Sequence, residues 1–206
     1  CKMQNNVPTG MLWNRVTTEG CDVIDGAVGT YPNLTRTFLP VACQHCENPA
    51  CQRVCPTGAT YKDDKGRVEI DYDKCIGCRM CVAACPYTGV RSFNWEEPAY
   101  YADFALGDAD AAKHEKHTVE KCIFCTQRVA RGEQPACVAD CIGRARHFGD
   151  LDDPNSEAAK VVAAAGENAH YLFDPDDLHP TTVYILSEKT AKWQEEPVEV
   201  TRYEKK

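Results

Sequence analysis

Long apolar runs are the first thing this sequence lacks. Its most hydrophobic stretches, Val161 to Ala165 and Val183 to Leu186, are far too short to cross a bilayer. Large aliphatic side chains are scarce as well: 43% of the 206 residues are apolar, but much of that share is Ala and Cys. A large conventional core is therefore not expected, and a chain that buries little apolar surface needs covalent or metal cross-links. No basic patch is present to meet nucleic acid, and the formal net charge of −8 bears only on solubility and partner charge. Missing too are a nucleophile elbow, a phosphate-binding loop and a dinucleotide fingerprint, so no catalytic constellation can be read. The chain opens on Cys1 rather than a methionine, and any targeting signal would lie upstream of it.

Cysteine is what the sequence has in excess. There are 14, and most stand two or three residues apart in groups of four. Disulfides demand particular Cα separations and dihedral angles, and thiols grouped this tightly make a poor framework for them. Thiolates gathered in fours are what a metal cluster requires, which implies assembly in a reducing compartment.

The plainest group is Cys75, Cys78, Cys81 and Cys85, followed by Pro86. This is C-x2-C-x2-C-x3-C-P, in which three cysteines wrap one face of a [4Fe–4S] cubane and the fourth ligates a neighbouring cluster. Zinc sites instead use C-x2-C pairs separated by a longer loop. Cys43, Cys46, Cys51 and Cys55, followed by Pro56, form the same pattern with one gap widened to four residues. Together the two groups predict a reciprocal exchange. Cys43, Cys46, Cys51 and Cys85 hold one cluster, and Cys75, Cys78, Cys81 and Cys55 hold the next. The last group, Cys122, Cys125, Cys137 and Cys141, has a C-x2-C-x11-C-x3-C spacing. By the same logic three of these share a cluster and Cys141 serves another. Cys1 is the natural missing ligand, as the last member of a group whose other members lie upstream.

The expected fold class is α+β: duplicated bacterial-ferredoxin-like units with small β-hairpins and short helices, a 30-residue insertion and a C-terminal extension. Residues 1–42 are turn-rich with little periodicity and read as the remnant of a ferredoxin half. Residues 43–90 form a two-cluster unit, whose groups are separated by a hairpin with strands Ala59–Tyr61 and Arg67–Ile70 and a turn at Asp63–Gly66. Residues 91–120 are the insertion, aromatic and then charged. Residues 121–150 form the second half, pairing with the N-terminus. In 151–206, a helix capped by Asn155 or Ser156 and ended by Gly166 precedes a strand at 181–186 and an extended tail.

The segments "CKMQNNVPTG", "CQHCENPACQRVCPTGA", "CIGCRMCVAACPY", "KCIFCTQRVARGEQPACVADC" and "RHFGDLDDPNS" together resemble the four-cluster iron–sulfur subunits of complex molybdenum oxidoreductases. Polysulfide, tetrathionate, arsenate and dimethyl sulfoxide reductases belong to that family. The resemblance implies that Cys1 joins Cys122, Cys125 and Cys137, and that Cys141 belongs to a fourth cluster whose other ligands precede this sequence. Ile142 departs from the family by standing where many members have Pro. The resemblance also implies a large molybdopterin catalytic partner, a membrane anchor or quinone-linked subunit, and a peripheral place at the membrane. The extracytoplasmic face is expected, with the cytoplasmic face as the alternative. Other readings are a free-standing polyferredoxin, a structural zinc protein, or a lipid-modified Cys1.

Further residues carry weaker expectations. Cys21 fits no group and reads as a small buried hydrophobe. His45 either bonds a cluster sulfur or packs on a tight loop. His114 and His117 read as solvated side chains on a lysine-rich loop. Trp95, Tyr100, Tyr101 and Phe104 either face a partner or shield the clusters. The insertion and the tail after residue 187 are the expected docking surfaces.

Overall fold

The structure, a computed structural model, describes residues 1–18, 28–36, 38–87, 89–104, 106–174 and 177–187. Cys21 and the expected tail lie outside these. Strands β1 (Asn14–Thr18), β2 (Val28–Thr30), β3 (Asn33–Thr35) and β4 (Phe38–Ala42) come first, followed by helix α1 (Ala50–Arg53). Then come β5 (Thr60–Lys62), β6 (Val68–Ile70), α2 (Met80–Ala83), β7 (Arg91–Phe93) and β8 (Val119–Lys121). Helices α3 (Thr126–Ala130), α4 (Ala136–Ala139) and α5 (Glu157–Ala165) precede β9 (Ala169–His170) and β10 (Tyr184–Ile185). Each sheet is a two-stranded antiparallel pair: β1–β4, β2–β3, β5–β6, β7–β8 and β9–β10. The class is α+β, as expected. Two-stranded sheets and four-residue helices are marginal by themselves, so what packs between them must hold them.

The β5–β6 hairpin shows how short elements are fixed locally. Asp63 Oδ1 accepts from the amides of Lys65 and Arg67 at 3.0 and 2.7 Å, and Oδ2 meets the Arg67 guanidinium. Gly66, at φ +77°, closes the turn by donating to Asp63 O. Val68 and Ile70 then turn inward against Cys51, Cys81 and Val119, so the largest apolar cluster contains two of the expected ligands. Helix α5 also follows its sequence signals: Ser156 Oγ accepts from the Ala159 amide, and Gly166 ends the helix at φ +54°.

Elsewhere the structure departs from expectation. The turn-rich N-terminal segment contains a five-rung ladder, from Asn14 opposite Ala42 to Thr18 opposite Phe38. Among the described residues of this ladder only Leu39 is buried, so it left no alternating pattern to read. The late strand shrinks to Tyr184–Ile185. Its surroundings cover the Cys43–Cys46 loop: Thr181 donates to Gln44 O, Asn48 N to Leu178 O, and Leu178 packs beside Cys46. The ends of the expected insertion pair with each other as β7 and β8, and its polar part folds back on the N-terminus. Asp108 accepts from Gln4 and meets Arg131, Leu106 N donates to Asn6 Oδ1, and Thr9 N donates to Ala99 O. The aromatics Trp95, Tyr100, Tyr101 and Phe104 stay on the surface.

The expectation for His114 is corrected. Its side chain is 2% exposed, with Nδ1 2.9 Å from Glu120 Oε1 and Nε2 donating to Asn5 O at 2.9 Å. Glu120, itself fully buried, also accepts from Trp13 Nε1 and Asn94 Nδ2. Charged residues at three-residue spacing looked like a solvated loop because burial by a distant segment leaves no local pattern. His117 is exposed, as expected.

Burial opposes the charged form of His114, but the hydrogen bond and charge of Glu120 outweigh it and hold the pKa above the ordinary value. A raised folded pKa adds stability that is fully present below the unfolded value, about 6.5, and is lost as pH rises through the folded value. The anaerobic thermal midpoint should therefore fall across that interval in the wild-type protein, and His114→Gln should remove that step. An equal step in the variant would show that another group is responsible.

Candidate iron–sulfur sites

Three C-x-x-C loops share one backbone device. The residue before the second cysteine is left-handed each time: His45 at φ +46°, Gly77 at +67° and Phe124 at +52°. A left-handed residue in a tight loop turns successive amides toward one concave side, which suits anionic sulfur. At Gly77 the sequence states the reason, since a Cβ there would lie 2.2 Å from His117 O. At the other two loops a side chain occupies a strained conformation, and the strain is met by contact. The His45 and Phe124 rings stack 3.7 Å apart at 17°, joining the Cys43–Cys46 loop to the Cys122–Cys125 loop. Short helices then present the third cysteine of each set: Cys51 on α1, Cys81 on α2 and Cys137 on α4.

Cysteines from distant groups come near one another, though among the described residues no three such side chains stand close enough to hold a single metal ion. Cys55, Cys75, Cys78 and Cys81 line one cavity, walled by Ala59, Ile70, Ile76 and Val119 and by no carboxylate. Burial first, then the charges of Cys43, Cys85 and Cys51, push the Cys46 thiol up to about 12. Burial likewise pushes Cys85 to about 12, opposed by a Tyr87 backbone hydrogen bond and reinforced by Cys43. Cys122 reaches about 12 through burial, opposed by the Phe124 amide and aided by Cys43 and Cys137. Asn5 Nδ2 faces both Cys125 Sγ at 3.5 Å and Cys1 Sγ at 3.9 Å, held in that sense by Gln127, which donates to Asn5 Oδ1. Cys141 accepts from the Ala145 amide at 3.3 Å, and exposed Ile142 follows it.

Residues that the cysteine spacing does not reveal surround the sulfurs with donors. Arg91 Nη2 donates to Cys51 Sγ at 2.8 Å, and the Thr60 amide donates to Cys55 Sγ at 3.4 Å. Such bonds favour thiolate and raise a bound cluster's potential. His45 Nδ1 accepts from the Val68 amide at 3.1 Å, while burial and then the Lys121 charge hold its pKa well below the ordinary value. The ring is thus neutral, with its proton on Nε2, which is buried near the Cys122 carbonyl without an acceptor in hydrogen-bond geometry. Arg91 Nη1 is a second buried donor without an acceptor. Convergent thiols, apolar walls and two orphaned donors fit a sulfide-bearing cluster. The signals for Arg91 and Asn5 were absent because neither belongs to a spaced motif.

The sequence comparisons agree with this chemistry. The 4Fe-4S dicluster domain family matches residues 34–101 and 108–151. A protein assigned as the iron–sulfur subunit of a dimethyl sulfoxide reductase in Halobacterium salinarum is 47% identical, over 97% of this chain and 77% of its own length. The chain belongs to the 4Fe-4S dicluster family of reductase iron–sulfur subunits. A selenate reductase subunit from Mesobacillus selenatarsenatis is 39% identical over 80% of this chain, which spans 58% of that relative. The arsenate respiratory reductase iron–sulfur subunit of a Shewanella species is 35% identical over 79% of this chain and 78% of its own length. The family subunit is an electron-transfer subunit rather than a catalyst, and similarity over nearly the whole chain sets aside the free-standing polyferredoxin and the zinc protein.

The stacked loop pair yields a test. A left-handed non-glycine residue costs about 1–2 kcal/mol, and an aromatic contact returns about 0.5–1.5 kcal/mol. Phe124→Ala loses the stack and keeps the strain, whereas Phe124→Gly loses both, so the Gly variant should be the more stable by about 1 kcal/mol. Anaerobic denaturation midpoints in the reverse order would refute the strain account.

Proposed function

We propose that this chain relays single electrons through three [4Fe–4S] clusters and contributes to a fourth, serving a molybdopterin catalytic subunit. Cys43, Cys46, Cys51 and Cys85 hold the first site. Cys75, Cys78, Cys81 and Cys55 hold the second, and Cys122, Cys125, Cys137 and Cys1 the third. Cys141 supplies one ligand of the fourth. A bound cluster of this kind gives or takes one electron at a potential within roughly −700 to +450 mV, set by charge, hydrogen bonds and exposure.

The observation that carries this reading is Cys55 lining the same cavity as Cys75, Cys78 and Cys81, although the whole β5–β6 hairpin separates them in sequence. The shared Asn5 contact supports pairing Cys1 with Cys125. Two contacts tie the sites together: the His45–Phe124 stack joins the loops of Cys46 and Cys122, and Arg91 bonds Cys51, which shares a buried cluster with Cys81. Buried apolar side chains, the His45–Phe124 stack and the C-terminal cover over the Cys43–Cys46 loop keep water from the inner sulfurs.

The duplicated arrangement fits the same account: a two-site unit at 43–90, and a second half at 121–150 completed by the N-terminus. The intervening insertion braces that N-terminus and offers exposed Trp95, Tyr101 and Phe104 to a partner. The relatives' names place such chains in multi-subunit reductases, so the catalytic partner follows by kinship. A quinone-linked anchor and a peripheral position on the extracytoplasmic face complete the reading. Among the described residues no helix is long and apolar enough to cross a membrane.

Metal analysis of the anaerobically purified native complex tests this directly. Molybdenum or tungsten should approach one per copy of this chain. Iron, after subtraction of the catalytic subunit's own, should approach about sixteen, four per cluster. About twelve would refute the fourth cluster, and iron without either heavy metal would refute the catalytic partner.

A further inference from the structure

Arg91 begins β7, is 4% exposed, and sits where the first and second sites adjoin. Its Nη2 donates to Cys51 Sγ at 2.8 Å, and Cys81 lies in the same buried cluster as Cys51. Its Nη1 is buried with no acceptor, and among the described residues no carboxylate pairs with it. Directly across the β7–β8 ladder stands Lys121, itself fully buried. Two cations on one rung repel each other unless each meets a compensating group. Lys121 is answered by main-chain carbonyls, with Nζ donating to Val68 O and Cys122 O. The neighbouring buried carboxylate, Glu120, is taken by Trp13, Asn94 and His114. What remains to balance Arg91 is sulfur.

We propose that Arg91 is a positioning residue for electron exchange: a shared counter-ion to the first and second sites that holds both one-electron potentials up together. The proposal rests on the ligand sets given above. Exchange between the two sites oxidises one by one electron and reduces the other by one, and no proton need move. Arg91 faces the extra negative charge before and after, so it favours reduction at both sites, most directly at the first, where it bonds Cys51. A guanidinium suits this place because its planar fork offers donors in two directions from one permanent charge, which a lysine's compact ammonium does not. Lys121, bound to carbonyls, holds the ladder instead.

The experiment is an EPR-monitored redox titration of the anaerobically purified complex, with iron counted for each preparation. In Arg91→Gln, which keeps a donor and loses the charge, the first and second potentials should fall. The expected change is at least tenfold in each one-electron equilibrium, about 59 mV or more, with the third site unmoved. Arg91→Lys should restore most of that fall. Full iron with unchanged potentials, or an equal shift at all three sites, would overturn the proposal while leaving the ligand sets standing. A wild-type iron count too low for three clusters would instead defeat the ligand sets. Should the variants not assemble, the wild-type complex labelled with 15N-arginine decides. Pulsed EPR of the reduced clusters should show arginine-nitrogen coupling, and its absence would overturn the proposal.

Discussion

Burying thiols in groups, as around Cys46, Cys85 and Cys122, is unfavourable twice over. Desolvation disfavours each thiolate, and each thiolate disfavours its neighbours, which is why these three thiols are pushed to about 12. Iron reverses both effects by displacing the protons and taking the sulfur charge, so metal binding and folding become one equilibrium. The rest of the architecture is arranged around that exchange. The four-residue helices, too small to stand alone, each carry a cysteine: Cys51, Cys81 and Cys137. The principal apolar cluster is built from Cys51 and Cys81 as much as from Val68, Ile70 and Val119.

The donors are the second layer of the same constraint. Amides of Thr60 and Ala145, the amide side chain of Asn5 and the guanidinium of Arg91 all point at sulfur. The left-handed residues His45, Gly77 and Phe124 orient the loops that present it. An electron-transfer subunit benefits from this rigidity, because a site that barely moves when its charge changes spends little energy on reorganisation. Arg91 bonds Cys51, and the His45–Phe124 stack joins the Cys43–Cys46 and Cys122–Cys125 loops, so the proposed sites are tied to one another.

How far the sequence revealed this depends on how local each signal was. Cysteine spacing pointed to iron–sulfur chemistry because cubane geometry is written into a few residues. The β5–β6 hairpin and α5 were legible for the same reason, through Asp63, Gly66, Ser156 and Gly166. The β1–β4 ladder was not, since its described side chains are mostly half-buried and do not alternate. Arg91, Glu120 and Lys121 were hidden for the opposite reason: a buried strand made of charged residues contradicts the hydrophobic period by which strands are recognised. His114 misled in the same way, its burial being supplied by Asn5 and Trp13 from the far end of the chain. Long-range charge compensation leaves no mark on neighbouring residues.

In the proposed ligand sets sequence-distant cysteines share clusters, so that each cluster is both conductor and staple. An anomalous-difference map at the iron absorption edge, from crystals of the intact complex, tests it most directly. Iron density should be bonded to Cys55 together with Cys75, Cys78 and Cys81, and a second centre to Cys85 together with Cys43, Cys46 and Cys51. Density joining Cys75, Cys78, Cys81 and Cys85 to a single cluster would contradict it.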